Sequence, residues 1–109
     1  MIELKISDYA NEIMSWRMGH GFRTPNALDT EENRHDMLGK LMLVVSEVSE
    51  ASEAVRQNDL PNFKEEIADA FIRLMDITAA MGIDIESEIR AKMTFNEKRP
   101  FKNGKLCSL

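Results

Sequence analysis

The apolar positions of the chain recur at the three- and four-residue spacing of α-helices, and no segment alternates as a β-strand does. Four segments show the helical spacing. The first is predicted from Ser7, as its N-cap, to His20, with Gly21 as the residue that ends it. Residues 21–28 contain Gly and Pro and are predicted as a loop.

The second predicted helix is the longest. It begins near Asp29, which has the spacing of a capping box with Glu32, and extends to Gln57. Its apolar positions fall on one stripe, which we expect to be buried. The stripe consists of Leu41, Val44, Val45, Val48, Ala51, Ser52 and Val55.

The third and fourth predicted helices follow a turn at residues 58–62. The third ends at Gly82, and the fourth extends from Ile85 to about Lys98, with Asp84 as cap and Pro100 as the stop. The third helix has its apolar face at Phe63, Ile67, Ala70, Phe71, Leu74, Thr78 and Met81.

A single apolar stripe on each helix predicts an all-α four-helix bundle. The chain of 109 residues has the size of one domain, predicted over residues 1–109 with 100–109 as a loosely ordered tail. The second helix would span on the order of 40 Å at 1.5 Å per residue. One core of this size is too small to cover it, so we expect an oligomer.

Composition narrows the class of protein. The net charge of −5 argues against general nucleic-acid binding, and no apolar run is long enough to span a membrane. Cys107 is the only cysteine, which fits a reducing compartment. The N-terminus lacks the basic start and apolar stretch of a signal peptide, so we expect a cytoplasmic protein.

The charges are unevenly distributed along the chain. Residues 29–69 contain eleven acidic and four basic side chains, whereas residues 90–109 contain six basic and one acidic side chain. The two regions either attract each other or bind a cation and an anion side by side.

Two acidic pairs border the apolar stripes of successive helices. Glu47 and Glu50 are three residues apart, as are Glu66 and Asp69, so each pair lies on one helix face. If the two helices are antiparallel neighbours, the four carboxylates converge on one cleft. Carboxylates without nearby His or Cys suit Mg²⁺ or Mn²⁺. The alternative is that both pairs are solvated surface.

A basic face on the fourth helix complements these acids. Lys92, Asn96 and Arg99 share that face and can hold phosphate oxygens, although cations also suit the dipole at a helix C-terminus. Trp16, the only tryptophan, either stacks on a nucleobase or packs in the core or an interface.

These blocks together resemble the MazG-like all-α nucleoside triphosphate pyrophosphohydrolases. The family signature is E-x-x-E followed, after a gap, by E-x-x-D, and the gap 51–65 lies within its range. The later K-x-x-x-N-x-x-R pattern is matched by Lys92, Asn96 and Arg99. The resemblance covers about residues 38–105.

The resemblance implies a Mg²⁺-dependent enzyme that cleaves a (d)NTP with water into a (d)NMP and pyrophosphate, in nucleotide-pool cleaning. It implies a homodimer or a dimer of dimers that completes the site. Implied metal ligands are Glu47, Glu50, Glu66 and Asp69, of which Glu47 and Glu50 are also the catalytic candidates; implied phosphate ligands are Lys92, Asn96 and Arg99. Trp16 is the candidate for base binding.

Two features depart from the family pattern. Some members have an acid that activates water immediately before the first Glu, where this chain has Ser46, and many have His where this chain has Asn103. The general base is therefore open. Two other functions remain alternatives: a phosphoribosyl-ATP pyrophosphohydrolase and a non-catalytic helical interaction protein.

Overall fold

Four α-helices account for most of residues 4–99, the part of the chain that the computed structural model describes. They are α1 (Ile6–Gly19), α2 (Glu31–Arg56), α3 (Leu60–Ala80) and α4 (Ile85–Glu97), and no strand occurs between residues 4 and 99. The prediction of an all-α protein of four helices is confirmed. The predicted tail, 100–109, lies outside the described residues.

Short polar side chains begin three of the helices. Asp59 caps α3 and Asp84 caps α4, each by accepting a hydrogen bond from a backbone N–H three residues later. The predicted cap of α2 is wrong by one residue, because Thr30, not Asp29, accepts from the backbone N–H of Asn33 at 3.1 Å. Asp29 binds the side chain of Asn33 instead.

The start of α1 also differs from the prediction. Lys5, not Ser7, is the N-cap residue, and its backbone N–H donates to the carboxylate of Asp8 at 2.8 Å. Ser7 lies inside the helix, where its backbone N–H donates to Glu86 at 2.7 Å and lowers the pKa of that carboxyl. This hydrogen bond ties the first turn of α4 to the first turn of α1.

The helices pack unequally. Residues 57–59 join α2 and α3 in a tight turn, so these two helices form an antiparallel hairpin with the most extensive helix–helix contact in residues 4–99. The next most extensive contact is between α1 and α3, whereas α4 makes a small contact with α1. None of the described helices has the length and hydropathy that crossing a bilayer requires.

The predicted apolar stripe of α2 is only partly buried in the single chain: Ala51 is buried and Val44 is half-buried, but the other five members are exposed. Val48 is 53% exposed and Val55 is 63% exposed. The buried residues of α2 are Met37, Ala51 and Ala54. Half-buried Lys40, Val44 and Glu47 continue the same face at heptad-like spacing. The rest of the stripe is misplaced because the packed face also contains charged residues, which hydrophobic periodicity ignores.

The predicted apolar face of the third helix is largely confirmed, since Phe63, Ile67, Thr78 and Met81 are half-buried. Ala70 is buried as predicted, but Phe71 is 56% exposed and Leu74 is 43% exposed. Half-buried Glu66 and Arg73 lie on the packed face beside Ala70. Small and charged side chains therefore fill the seam between α2 and α3, and the predicted acidic residues lie within that seam.

A buried polar cluster joins α1, the following loop and α3. Arg17 donates through Nε to Asp76 at 2.7 Å, and the hydroxyl of Thr24 donates to the second carboxylate oxygen at 2.6 Å. Arg17 also donates to the carbonyl oxygen of Phe22 at 3.0 Å. With Pro25 fully buried beside Thr24 in the sequence, this cluster fixes the loop against the helices.

Candidate active site

Three of the four predicted carboxylates meet in the seam between α2 and α3. Glu47, Glu66 and Asp69 each offer an oxygen atom, and these atoms lie within 4.8 Å of one another. Glu47 comes from α2, and the other two lie one helical turn apart on α3. The hairpin therefore brings both halves of the acidic pattern to one place, which we call the carboxylate cluster.

Glu50 lies at the edge of the carboxylate cluster. Only the protonated form of Glu66 can donate a hydrogen bond to the carboxylate of Glu47 or, second in effect, of Glu50, which favours its neutral form. Together with burial and the two negative charges, this raises the pKa of Glu66 to about 7. Glu50 itself is exposed. The structure thus places all four predicted acids in one neighbourhood, with Glu50 outside the set of three whose oxygens meet.

The cluster fits a divalent cation by the chemistry of its donors. The Oε2 atom of Glu66 is buried and accepts no hydrogen bond from any donor in residues 4–99. An ionised oxygen in that position needs a positive partner. Carboxylate oxygens close together, without a sulfur or imidazole ligand among them, match the preferences of Mg²⁺ and Mn²⁺.

The raised pKa of Glu66 predicts how the metal-free protein responds to pH. Between about pH 4.5 and 7, the unfolded chain releases the proton of this carboxyl while the folded chain retains it. The folded state then binds more protons, so stability falls as pH rises through that window. In EDTA, we expect the melting temperature to fall more steeply with pH for wild type than for Glu66→Gln. Parallel melting curves would contradict this.

Arg73 is a site residue that sequence reasoning missed. Its Nε donates to Glu47 Oε1 at 3.1 Å, so a cation from α3 lies directly on the carboxylate cluster. The available signal was its spacing, because Arg73 lies seven residues, or two helical turns, after Glu66 and shares its face. A search for motifs does not select an isolated arginine between apolar residues.

Trp16 lies beside the carboxylate cluster. One cavity contacts Trp16, Ile72 and Asp69 together, and another contacts Trp16 and Arg73. Trp16 is 60% exposed, and its indole stacks on the ring of His20 with 4.2 Å between centroids. Trp16 is thus not a core residue of the single chain, and its exposed ring borders space close to the acids.

The basic face of α4 lies apart from the carboxylate cluster within the described chain. Lys92 and Arg99 flank the ring of Phe95, at 5.0 and 5.5 Å from its centroid. Within residues 4–99, α4 packs mainly on α1, through a small contact. The two cavities beside Trp16 include no α4 residue. Asn96 is half-buried on the same helix. The structure therefore does not unite the predicted phosphate ligands with the predicted metal ligands.

The fold and the cluster define a class of all-α proteins in which a helical hairpin holds carboxylates close enough together to bind a metal ion. Residues 36–100, more than half of the chain, match the model of the MazG nucleotide pyrophosphohydrolase domain. The chain belongs to this family. No curated protein and no solved structure matched the chain.

Proposed function

We infer that the protein is a Mg²⁺-dependent nucleoside triphosphate pyrophosphohydrolase that acts in clearing the nucleotide pool of the cytoplasm. The observation that carries this proposal is the carboxylate cluster, with the unpartnered buried oxygen of Glu66, in a MazG domain. The reaction converts a (d)NTP and water into a (d)NMP and pyrophosphate, by breaking the bond from the α-phosphorus to the oxygen that bridges to the β-phosphate.

The position of each acidic residue indicates the role that we propose for it. Glu47, Glu66 and Asp69 would hold Mg²⁺, which supplies charge to phosphoryl oxygens and acidifies bound water. Glu50 is exposed outside these three and is the carboxylate that accepts the proton of the attacking water. Glu50 thereby takes the role that an acid at position 46 would otherwise fill.

Phosphate binding by the basic face of α4 requires a second copy of the chain. Lys92 and Asn96 lie on α4 and Arg99 lies two residues after its end, and α4 has little contact with the rest of the described chain. A homodimer or a dimer of dimers would bring the basic face of one copy to the acids of another, where it offsets charge on the departing pyrophosphate.

The exposed apolar stripe of α2 supports such an oligomer. Val45, Val48 and Val55 are each more than half exposed, and contiguous apolar surface of this kind marks an interface. We expect sedimentation equilibrium at micromolar concentration to give a mass of at least twice 12.5 kDa. A stable monomer would contradict the shared site.

A panel of substrates tests the function. The eight common NTPs and dNTPs and phosphoribosyl-ATP are each incubated with the protein and Mg²⁺, and pyrophosphate is measured. We expect pyrophosphate with at least one NTP or dNTP, and none in EDTA. Release of single phosphates, or no release from any compound, would overturn the proposal. Cleavage of phosphoribosyl-ATP alone would identify the alternative hydrolase.

A further inference from the structure

A cavity of about 370 Å³ lies between α1, α2 and α3, beside the carboxylate cluster. Much of its lining is apolar, from Trp16, Phe22, Leu43 and Ile72. Lys40 and Arg73 add cations to the lining, which also includes the ion pair of Arg17 and Asp76. Cavities of a few hundred Å³ with an apolar wall and a few polar groups are typical of small-molecule sites. This volume accommodates a nucleobase and its sugar.

Arg73 marks the boundary between this cavity and the carboxylate cluster. It lines the cavity and also donates through Nε to Glu47. That bond uses one of the five N–H donors of the guanidinium. The terminal amino groups of Arg73 and the ammonium of Lys40 have no hydrogen-bond or ion-pair partner within residues 4–99. Unused donors therefore lie where the apolar cavity meets the acids.

The spacing of Lys40 and Arg73 places both cations on packed helix faces. Lys40 precedes Glu47 by seven residues, so both lie on the face of α2 that packs in the seam. Lys40 is half-buried and the side chain of Arg73 is 40% exposed, so an anion that enters the cavity can meet both cations at its wall. Glu47 neutralises one charge, and the second has no counter-ion in the described chain.

We propose that Arg73 and Lys40 bind the phosphate next to the sugar of a nucleotide whose base lies against Trp16 in this cavity. The proposal rests on the proposed function and adds a phosphate-binding pair supplied by α2 and α3 of the same chain. A planar guanidinium suits a phosphate group, because two of its N–H donors match two phosphoryl oxygens. The phosphates farther from the sugar then extend toward the carboxylate cluster.

Binding of nucleosides and nucleoside monophosphates in EDTA tests the proposal without metal or turnover. The four deoxynucleosides and their 5′-monophosphates are titrated by calorimetry, with the fluorescence of Trp16 as a second reading. For wild type, we expect the monophosphate to bind about tenfold to a hundredfold more tightly than the nucleoside, the usual effect of a charged hydrogen bond. Arg73→Gln should remove that difference, and Arg73→Lys should retain part of it.

Arg56→Gln is the matched control, because Arg56 also pairs with a glutamate but lies exposed at the end of α2. It should preserve the preference for the monophosphate. Mn²⁺ binding is measured for the same variants. If Arg73→Gln keeps the preference but loses Mn²⁺ affinity, Arg73 only supports Glu47 and the proposal is wrong. Equal binding of nucleoside and monophosphate by wild type, or binding of neither, also contradicts it.

The outcomes also separate this proposal from the function. If wild type prefers the monophosphate through Arg73 but releases no pyrophosphate from any substrate, the phosphate contact stands and the proposed reaction fails. If wild type hydrolyses a nucleotide while Arg73→Gln keeps its preference, the reaction stands and the contact fails.

Discussion

Glu66→Gln should lower kcat/KM for pyrophosphate release by at least about a hundredfold, because changes to groups that merely support metal ligands already cost about 10–100-fold. Glu66 is the centre of the carboxylate cluster: the carboxylates of Glu47 and Glu50 raise its pKa, and its Oε2 has no hydrogen-bond partner in the described chain. A neutral amide in its place presents one oxygen and an NH₂ group that repels a cation. The assay is pyrophosphate release at saturating Mg²⁺, with Mn²⁺ affinity measured in parallel.

Glu65→Gln is the control, since it makes the same chemical change at the preceding residue. Glu65 is exposed on α3 and belongs to no cluster of possible ligands within residues 4–99. Its kcat/KM should stay within about twofold of wild type, because exposed charges contribute little. Glu66→Gln should also remain folded and become more stable in EDTA at pH 8, since it removes one of the mutually repelling charges. Wild-type turnover by Glu66→Gln would refute the metal-cluster interpretation.

Much of the fold was predictable from the sequence because capping residues and glycines mark the ends of its helices. Asp84 caps α4 as predicted, Asp59 caps α3 from within the predicted turn, and Gly82 adopts a positive φ of 66° just after α3. The error at Asp29 arose because Thr30 is an equally good cap one residue later, and side-chain hydrogen bonds to Asn33 decide between them. Capping residues in the sequence predict that a helix begins in a segment. Where two neighbouring residues can each act as the N-cap, they do not determine its first residue.

The packed faces of the helices were harder to predict from the sequence, for a physical reason. Hydrophobic periodicity assumes that apolar residues cover one another within the chain. In this protein the seam of the hairpin is built from alanines and charged residues, including Glu47 and Arg73, while valines such as Val48 remain exposed. An interface with another copy and an internal core produce the same apolar spacing in sequence. The periodicity therefore located the helices and most of the inner face of α3 correctly, but it placed exposed residues such as Val48 on the inner face of α2.

The acidic part of the site was predictable because i, i+3 spacing on two consecutive helices leaves few arrangements once they form a hairpin. Glu47 and Glu66 meet as that argument requires. The contribution of Arg73 was not predictable, because its importance depends on the register between α2 and α3. The single chain does not bring α4 to the acids, so neither the spacing of its residues nor the fold of one chain relates the two, and we propose that a second copy does.

Asp76→Ala should lower the free energy of unfolding by about 3–5 kcal/mol, the usual cost of leaving one member of a buried ion pair without its partner. Arg17 is 9% exposed and Asp76 is 8% exposed, and Arg17 Nε lies 2.7 Å from Asp76 Oδ1. Thr24 also loses its acceptor, so the loop after α1 loses its attachment to α3. For a domain of this size, each kcal/mol shifts Tm by about 4–8 °C. We expect a fall in Tm of at least about 12 °C.

The control is Asp36→Ala, which removes the partner of Arg23 in an ion pair whose side chains are both about half exposed. Its effect should stay below about 1 kcal/mol, since water screens exposed pairs. The double variant Arg17→Met/Asp76→Leu separates charge from packing, because it removes both buried charges and keeps apolar volume. If the uncompensated guanidinium causes the loss, this variant should be more stable than Asp76→Ala in urea denaturation. If the double variant is equally unstable, the loss comes from the broken attachment of the loop at Thr24, and the ion pair contributes little to the fold.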